Sequence, residues 1–150
     1  MNRSNRLNYT WLVAAQVFAL AGAALAQDTA TQAEPPFLAI ELNMIEQQAD
    51  TCRLTFLAQN GLGVDVSAAV FETVLFDRTG QVIDLTLFDF RDLPDGSPRV
   101  RQFDLAGVGC ATVGKVLLND VHACSGESLT PEVCAAGLRW SSRTDVEVLG

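Results

Sequence analysis

Apolar and polar positions alternate with a period of two over most of this chain, and that alternation predicts strands. Over residues 37–46, Leu38, Ile40, Leu42 and Met44 share one face, with Ala39, Glu41 and Asn43 opposite. Over 52–60 the inward set is Cys52, Leu54, Phe56 and Ala58, with Arg53, Thr55 and Gln59 outward. The run 64–77 is apolar on both parities, with Val66, Val70, Val74 and Phe76 on one and Phe71 and Leu75 on the other. It reads either as a central strand or as one in which a bulge switches parity. Residues 81–90 return with Ile83, Leu85 and Leu87 on one face and Asp84 and Thr86 on the other. Shorter strands are predicted over 100–105, 115–122 and 144–149.

Turn chemistry separates these runs. Asn60-Gly61-Leu62-Gly63 supplies glycines able to take positive φ, and Asp77-Arg78-Thr79-Gly80 forms a tight hairpin with Asp starting and Gly closing it. Leu93-Pro94-Asp95-Gly96-Ser97-Pro98 is a second strong turn, and 106–114, with three glycines and Cys110, is a crossing loop. One helix is expected. Thr130 is its N-cap, Pro131 takes the first helical position, and Gly137 caps it about two turns later. Six or seven short strands with frequent turns and no β–helix alternation predict an all-β fold, an Ig-like antiparallel β-sandwich with one short helix in a late insertion.

The amino terminus changes the compartment. Arg3 and Arg6 precede an apolar run over 11–25, which closes on Ala24-Leu25-Ala26 and is followed by polar Gln27-Asp28-Thr29. A run of about fifteen residues is short for a membrane span, which needs roughly 20, and it reads as a cleaved signal peptide, 1–26. Residues 27–36 (QDTATQAEPP) form a disordered or extended lead-in, and 37–150 a single domain. Loss of Arg3 and Arg6 takes the formal charge from −8 to −10, with Lys115 the only lysine. Such a balance excludes a nucleic-acid footprint and adhesion to anionic lipid, and no membrane span is expected after cleavage.

Four cysteines in an exported domain read as two disulfides. Four cysteines allow three pairings, and the strand placements favour Cys52–Cys110 and Cys124–Cys134. Cys52 points inward at a strand start while Cys110 lies in the loop entering a later strand. Cys124 and Cys134 flank a loop that would otherwise dangle. There is no C-x-x-C, so neither zinc nor a catalytic dithiol is expected.

Candidate chemistry is sparse. Asp120 and His122 sit two apart, with Glu127 beyond, so His122 could act as a general base oriented by Asp120. Ser125 and Ser128 are near, but no G-x-S-x-G surrounds either. Asp84, Asp89, Asp92, Asp95 and Asp104 lack the alternating ligand pattern of a calcium loop. Trp140, the only Trp or Tyr after residue 26, reads as a packing residue stacked by Arg139 or Arg143. No cofactor and no metal are expected.

The stretch from Asn60 through Leu75-Phe76-Asp77-Arg78-Thr79-Gly80 to Pro94-Asp95-Gly96 resembles FxLYD-type extracytoplasmic β-sandwiches. Cys52-Arg53, the block Gly114-Lys115-Val116-Leu117-Leu118-Asn119-Asp120-Val121 with Cys124 beyond, and Ser141-Ser142-Arg143 are similar to small exported proteins of Gram-negative bacteria. Arg3-Ser4-Asn5-Arg6 lacks an adjacent arginine pair, which favours general secretion over the twin-arginine route. The resemblance implies a periplasmic module, associated with envelope transport machinery, and lends no catalytic residue. The expected function is therefore a non-enzymatic interaction or accessory module with a protein partner in the cell envelope. The alternatives are a small-ligand carrier with a pocket between the sheets and an enzyme using His122.

Overall fold

The computed structural model describes residues 34–150. The expected signal peptide and residues 27–33 of the lead-in lie outside the described residues. Eight strands follow: β1 (Phe37–Gln48), β2 (Thr51–Gly61), β3 (Val66–Asp77), β4 (Val82–Leu93), β5 (Arg99–Ala106), β6 (Val113–Gly126), β7 (Leu138–Ser142) and β8 (Glu147–Leu149). A 3₁₀ turn, Cys110–Thr112, enters β6, and helix α1 (Pro131–Gly137) precedes β7. Two four-stranded sheets result, with strand orders β5-β2-β1-β7 and β4-β3-β6-β8. The first three strands of each are antiparallel, while β7 runs parallel to β1 and β8 parallel to β6.

The two inner faces supply one core, in which Leu38, Ile40, Leu54, Phe56, Phe71 and Phe90 are fully buried. Burying a side chain of this class is worth about 1.5–3 kcal/mol. The phenyl rings concentrate toward β4 and β5. Phe56 meets Phe88, Phe90 and Phe103 edge-on at 5.6–5.9 Å, and Phe88 stacks on Phe103 at 4.1 Å.

Several faces differ from the pattern reading. Met44 faces solvent because the β1–β2 register shifts between Leu42 and Met44, which hands the inward position to Ile45. In β4 the core parity belongs to Phe88 and Phe90, so Leu85 and Leu87 face out. Both readings of β3 hold at once, since it is central in its sheet and its register shifts repeatedly. Strand β7 was not in the pattern, and β8 is shorter than expected because Thr144 and Asp145 belong to the turn before it.

The local chemistry of turns and caps follows from side-chain oxygens. Asp77 accepts from Thr79 N–H, Thr79 Oγ1 and Gln81 N–H at 2.7–2.9 Å, and Gly80 closes the hairpin at φ 90°. The Thr130 hydroxyl accepts from Val133 N–H at 3.4 Å, as an N-cap does. Gly137 ends the helix without left-handed backbone. Its service is close approach, because a Cβ there would sit 3.1 Å from Leu62 Cδ2.

Disulfides join Cys52 to Cys110, across 58 positions of sequence, and Cys124 to Cys134, across 10. The first ties the start of β2 to the 3₁₀ turn, and the second staples α1 onto β6. Asn60 is fully buried at the end of β2. It donates to Val64 and Leu93 carbonyls at 2.8 Å and accepts from Leu62 N–H at 2.9 Å, which fixes the loop beside the 93–98 turn.

Candidate functional site

Strands β4 and β5 are the edges of the two sheets on one side of the sandwich, and both are long. An edge strand exposes backbone groups that can template another chain. In β4 those groups are taken at both ends. The Asp84 carboxylate accepts from Leu85 N–H at 2.9 Å, so that N–H points away from β3. Further along, Arg91 adopts φ 59° and donates its N–H to the Asp89 carboxylate at 2.8 Å. Arg101 reaches across from β5 and donates to the Phe90 and Asp92 carbonyls at 2.6 and 2.8 Å. This guanidinium bridges the sheets at the seam.

Between β4 and β5 lies a groove of about 470 Å³, lined by Leu87, Asp89, Arg91, Val100, Arg101, Gln102 and Phe103. Its lining is mostly polar, with Leu87, Val100 and Phe103 as the apolar members. Beside it, the outer face of the β4-β3-β6-β8 sheet carries an apolar row one residue deep in each strand. Leu85 pairs with Val74, Val74 with Leu117, and Leu117 with Leu149. Leu85 is 60% exposed and Leu87 47% exposed, large values for leucines on an unpaired edge. The double apolar parity of residues 64–77 was the sequence signal for this row. Leu85 and Leu87 themselves were assigned to the same side as Ile83, and Arg101 carried no signal at all.

The residues singled out for chemistry do not converge. His122 is exposed at a register shift of β6, the extra residue between the Phe71–Val121 and Val70–Ala123 pairs. Asp120 accepts from Val121 N–H at 2.8 Å, and the Ser125 hydroxyl faces that of Ser67 at 3.0 Å. Ser128 lies in the loop before α1 at φ 60°.

Each of the five aspartates has its own local partner. Asp84 and Asp89 hold backbone N–H groups, Asp92 meets Arg101 at 3.5 Å, and Asp95 accepts from Gly63 N–H at 3.0 Å. Asp104 takes a two-pronged contact from Arg53 at 2.7 and 2.8 Å, whose hydrogen bonds hold its carboxyl below the ordinary range. Among the described residues, no group of three or more His, Cys, Asp or Glu is placed to hold a metal ion.

Two other surface hollows are smaller in promise. One, lined by Asp65, Ser67, Asp95 and Glu127 among others, has Asp65 and Asp95 committed to backbone N–H groups. The other, of about 190 Å³, is bounded by Trp140, Leu138, Ala135 and Val121. Arg139 stacks on Phe37 at 4.6 Å, not on Trp140, and holds Glu34 and the Pro35 carbonyl. The last residues of the lead-in are thereby fastened to the domain.

Comparison with family models, with curated proteins and with solved structures finds no match to this chain. Two disulfides mark an oxidising, exported environment. Among the described residues no helix is long and apolar enough to cross a membrane.

Proposed function

We propose that this chain is a non-enzymatic interaction module of the cell envelope, released into the periplasm by cleavage after Ala26, and that it docks a protein partner on the β4 side. The observation that carries this reading is the pair Leu85 and Leu87, left exposed on an edge strand and continuous with the Val74–Leu117–Leu149 row. Leaving such side chains in water forgoes their burial energy, which a partner's surface would recover. The carrier reading has less support, because Phe56, Phe71, Phe88, Phe90 and Phe103 fill the space between the sheets that a ligand would need. An enzyme reading built on His122 has less support too, because among the described residues His122 has no nucleophile or metal-ligand partner within hydrogen-bond reach.

The test is a photo-crosslinking residue placed at position 85 in the protein expressed in its own cells. Position 59, exposed on the outer face of the other sheet, is the control. Adducts to one discrete protein from 85 and none from 59 are expected. Equal adducts from both positions, or none from 85, would remove the reading. In parallel, His122→Ala is expected to leave the phenotype of the intact gene unchanged, and its loss with the fold retained would restore the enzyme.

A further inference from the structure

We infer that the open middle of β4 accepts an extended peptide segment of that partner as an added strand, apolar at alternate positions and basic at its flanks. The inference rests on the docking reading above and specifies its mode and chemistry. Leu85 N–H is turned away from β3, since it bonds the Asp84 carboxylate. Backbone orientation repeats every second residue of a strand, so Leu87 and Asp89 also turn their N–H and C=O groups outward. Those three residues pair with Val74, Glu72 and Val70 of β3. Arg101 consumes the carbonyls of Phe90 and Asp92, and Asp89 consumes the N–H of Arg91. What is left open is a short window centred on Leu87: the Leu85 carbonyl and both groups of Leu87 and of Asp89. That set matches the backbone of one short incoming strand.

The side chains define what enters. Residues of the added strand that face outward would lie beside Leu85 and Leu87 and extend the apolar row by one strand, which selects apolar side chains at every second position. Asp84 and Asp89 stand at the two ends of the window. Arg101 is already matched by Asp92, so Arg91 is the one lining cation without a carboxylate partner among the described residues. The chain as a whole is formally −8. Asp84 and the net charge therefore favour basic flanks on the occupant, while Arg91 offsets part of that gain at the Asp89 end. A second copy of this chain does not fit as well, because pairing β4 with itself would gather Asp84 and Asp89 of both copies at one seam.

The test uses isotope-labelled protein purified after export, titrated with a synthetic peptide of about nine residues that alternates Val and Thr between terminal lysines. Shifted resonances and slowed hydrogen exchange at the Leu87 and Asp89 amides are expected. The same peptide with terminal glutamates should bind about tenfold more weakly, the size expected of two exposed ion pairs. A peptide N-methylated at alternate residues should not bind, a control that leaves the protein unaltered. Leu87→Pro, which deletes the central N–H, should abolish binding if its thermal unfolding shows that it remains folded. Binding without change at Leu87 and Asp89, equal affinity for the glutamate peptide, or concentration-dependent β4 shifts without any peptide would overturn the inference, the last by making a second copy the occupant. If position 85 captures a partner while the peptide leaves Leu87 untouched, strand addition is wrong and docking stands; if neither responds, both fall.

Discussion

On the side of the sandwich formed by β7 and β8, both sheets end in strands of five and three residues, laid parallel on their neighbours. The turn between them is bound by its own hydroxyls, with Thr144 accepting from Val146 N–H at 3.1 Å and Arg143 N–H donating to the Leu42 carbonyl at 2.9 Å. Helix α1 packs on β6 and β1, held by Cys124–Cys134. On the side formed by β4 and β5, the edges are 12 and 8 residues long, and closure comes from stacked phenyl rings and the single guanidinium of Arg101. The first side abolishes its edges by making them short and covered. The second plugs most of one long edge and leaves its middle bare. A fold that can close an edge by brevity, yet keeps another long and partly open, concentrates its docking capacity there.

Removing each side's disulfide tests the contrast most forcefully. By loop-closure entropy, Cys52→Ala with Cys110→Ala should cost roughly 4 kcal/mol, and Cys124→Ala with Cys134→Ala about 3. Denaturant midpoints with unchanged slopes would measure both. Hydrogen exchange should show β5 loosening first in the former and α1 in the latter. A larger loss from the Cys124–Cys134 pair would mean that the short edges depend on their staple more than the long edge depends on its own.

Arg101→Met sharpens the comparison at smaller energy. It orphans the Phe90 and Asp92 carbonyls at the seam, a loss of about 1–2 kcal/mol once water replaces part of the bonding. More telling is the edge it frees. The open window lengthens toward Asp92, so the variant should self-associate at concentrations where the parent stays monodisperse by light scattering. A variant as monodisperse as the parent would show that Arg101 braces the seam without guarding the edge.

Much of this architecture was legible in the sequence because it is local. Strand β1 as far as Leu42 and the inward positions of β2 alternate as read, Asp77 and Gly80 define their hairpin, and Thr130-Pro131 starts the helix. What was not legible is set by neighbours far along the chain. Strand β7 (LRWSS) has no alternation of its own and exists because β1 offers a free edge to Leu138–Ser142. In β4 the alternation of Ile83, Leu85 and Leu87 against Asp84 and Thr86 pointed to the wrong face for the two leucines; the phenyl rings of Phe88 and Phe90 take the core because Phe56, Phe71 and Phe103 give them edge and face partners. Leu85 and Leu87 were thus visible as residues but not as surface. Asn60 looked like a turn residue, and only the fold reveals it as a buried tie between loop and strand.

Acid should distinguish the two sides least in energy but most in order. Several carboxyls are held below their ordinary range: Asp145 by the Arg78 hydrogen bond, Glu41 by Asn43 and then Arg143, Glu132 by the Thr130 hydroxyl, Asp77 by Thr79 and Gln81, and Asp104 by Arg53. A carboxyl whose pKa is lower folded than unfolded stabilises the fold above its unfolded value, about pH 4, and that contribution is lost as pH falls through the folded value. Asp145, Glu41 and Glu132 all serve the β7–β8 side, and of these carboxyls Asp104 is the one on β5, paired with Arg53 of β2. Below about pH 4 the amides of Arg143 and Val146 should therefore lose exchange protection before those of β5. Relief of repulsion among the excess acidic groups works in the opposite direction, and added salt removes it. The leading causes here are hydrogen bonds, which salt screens weakly, so the ordering should persist at high ionic strength. Uniform loss of protection on both sides, or loss beginning in β5, would show that the short edges are held by packing and not by their ion pairs.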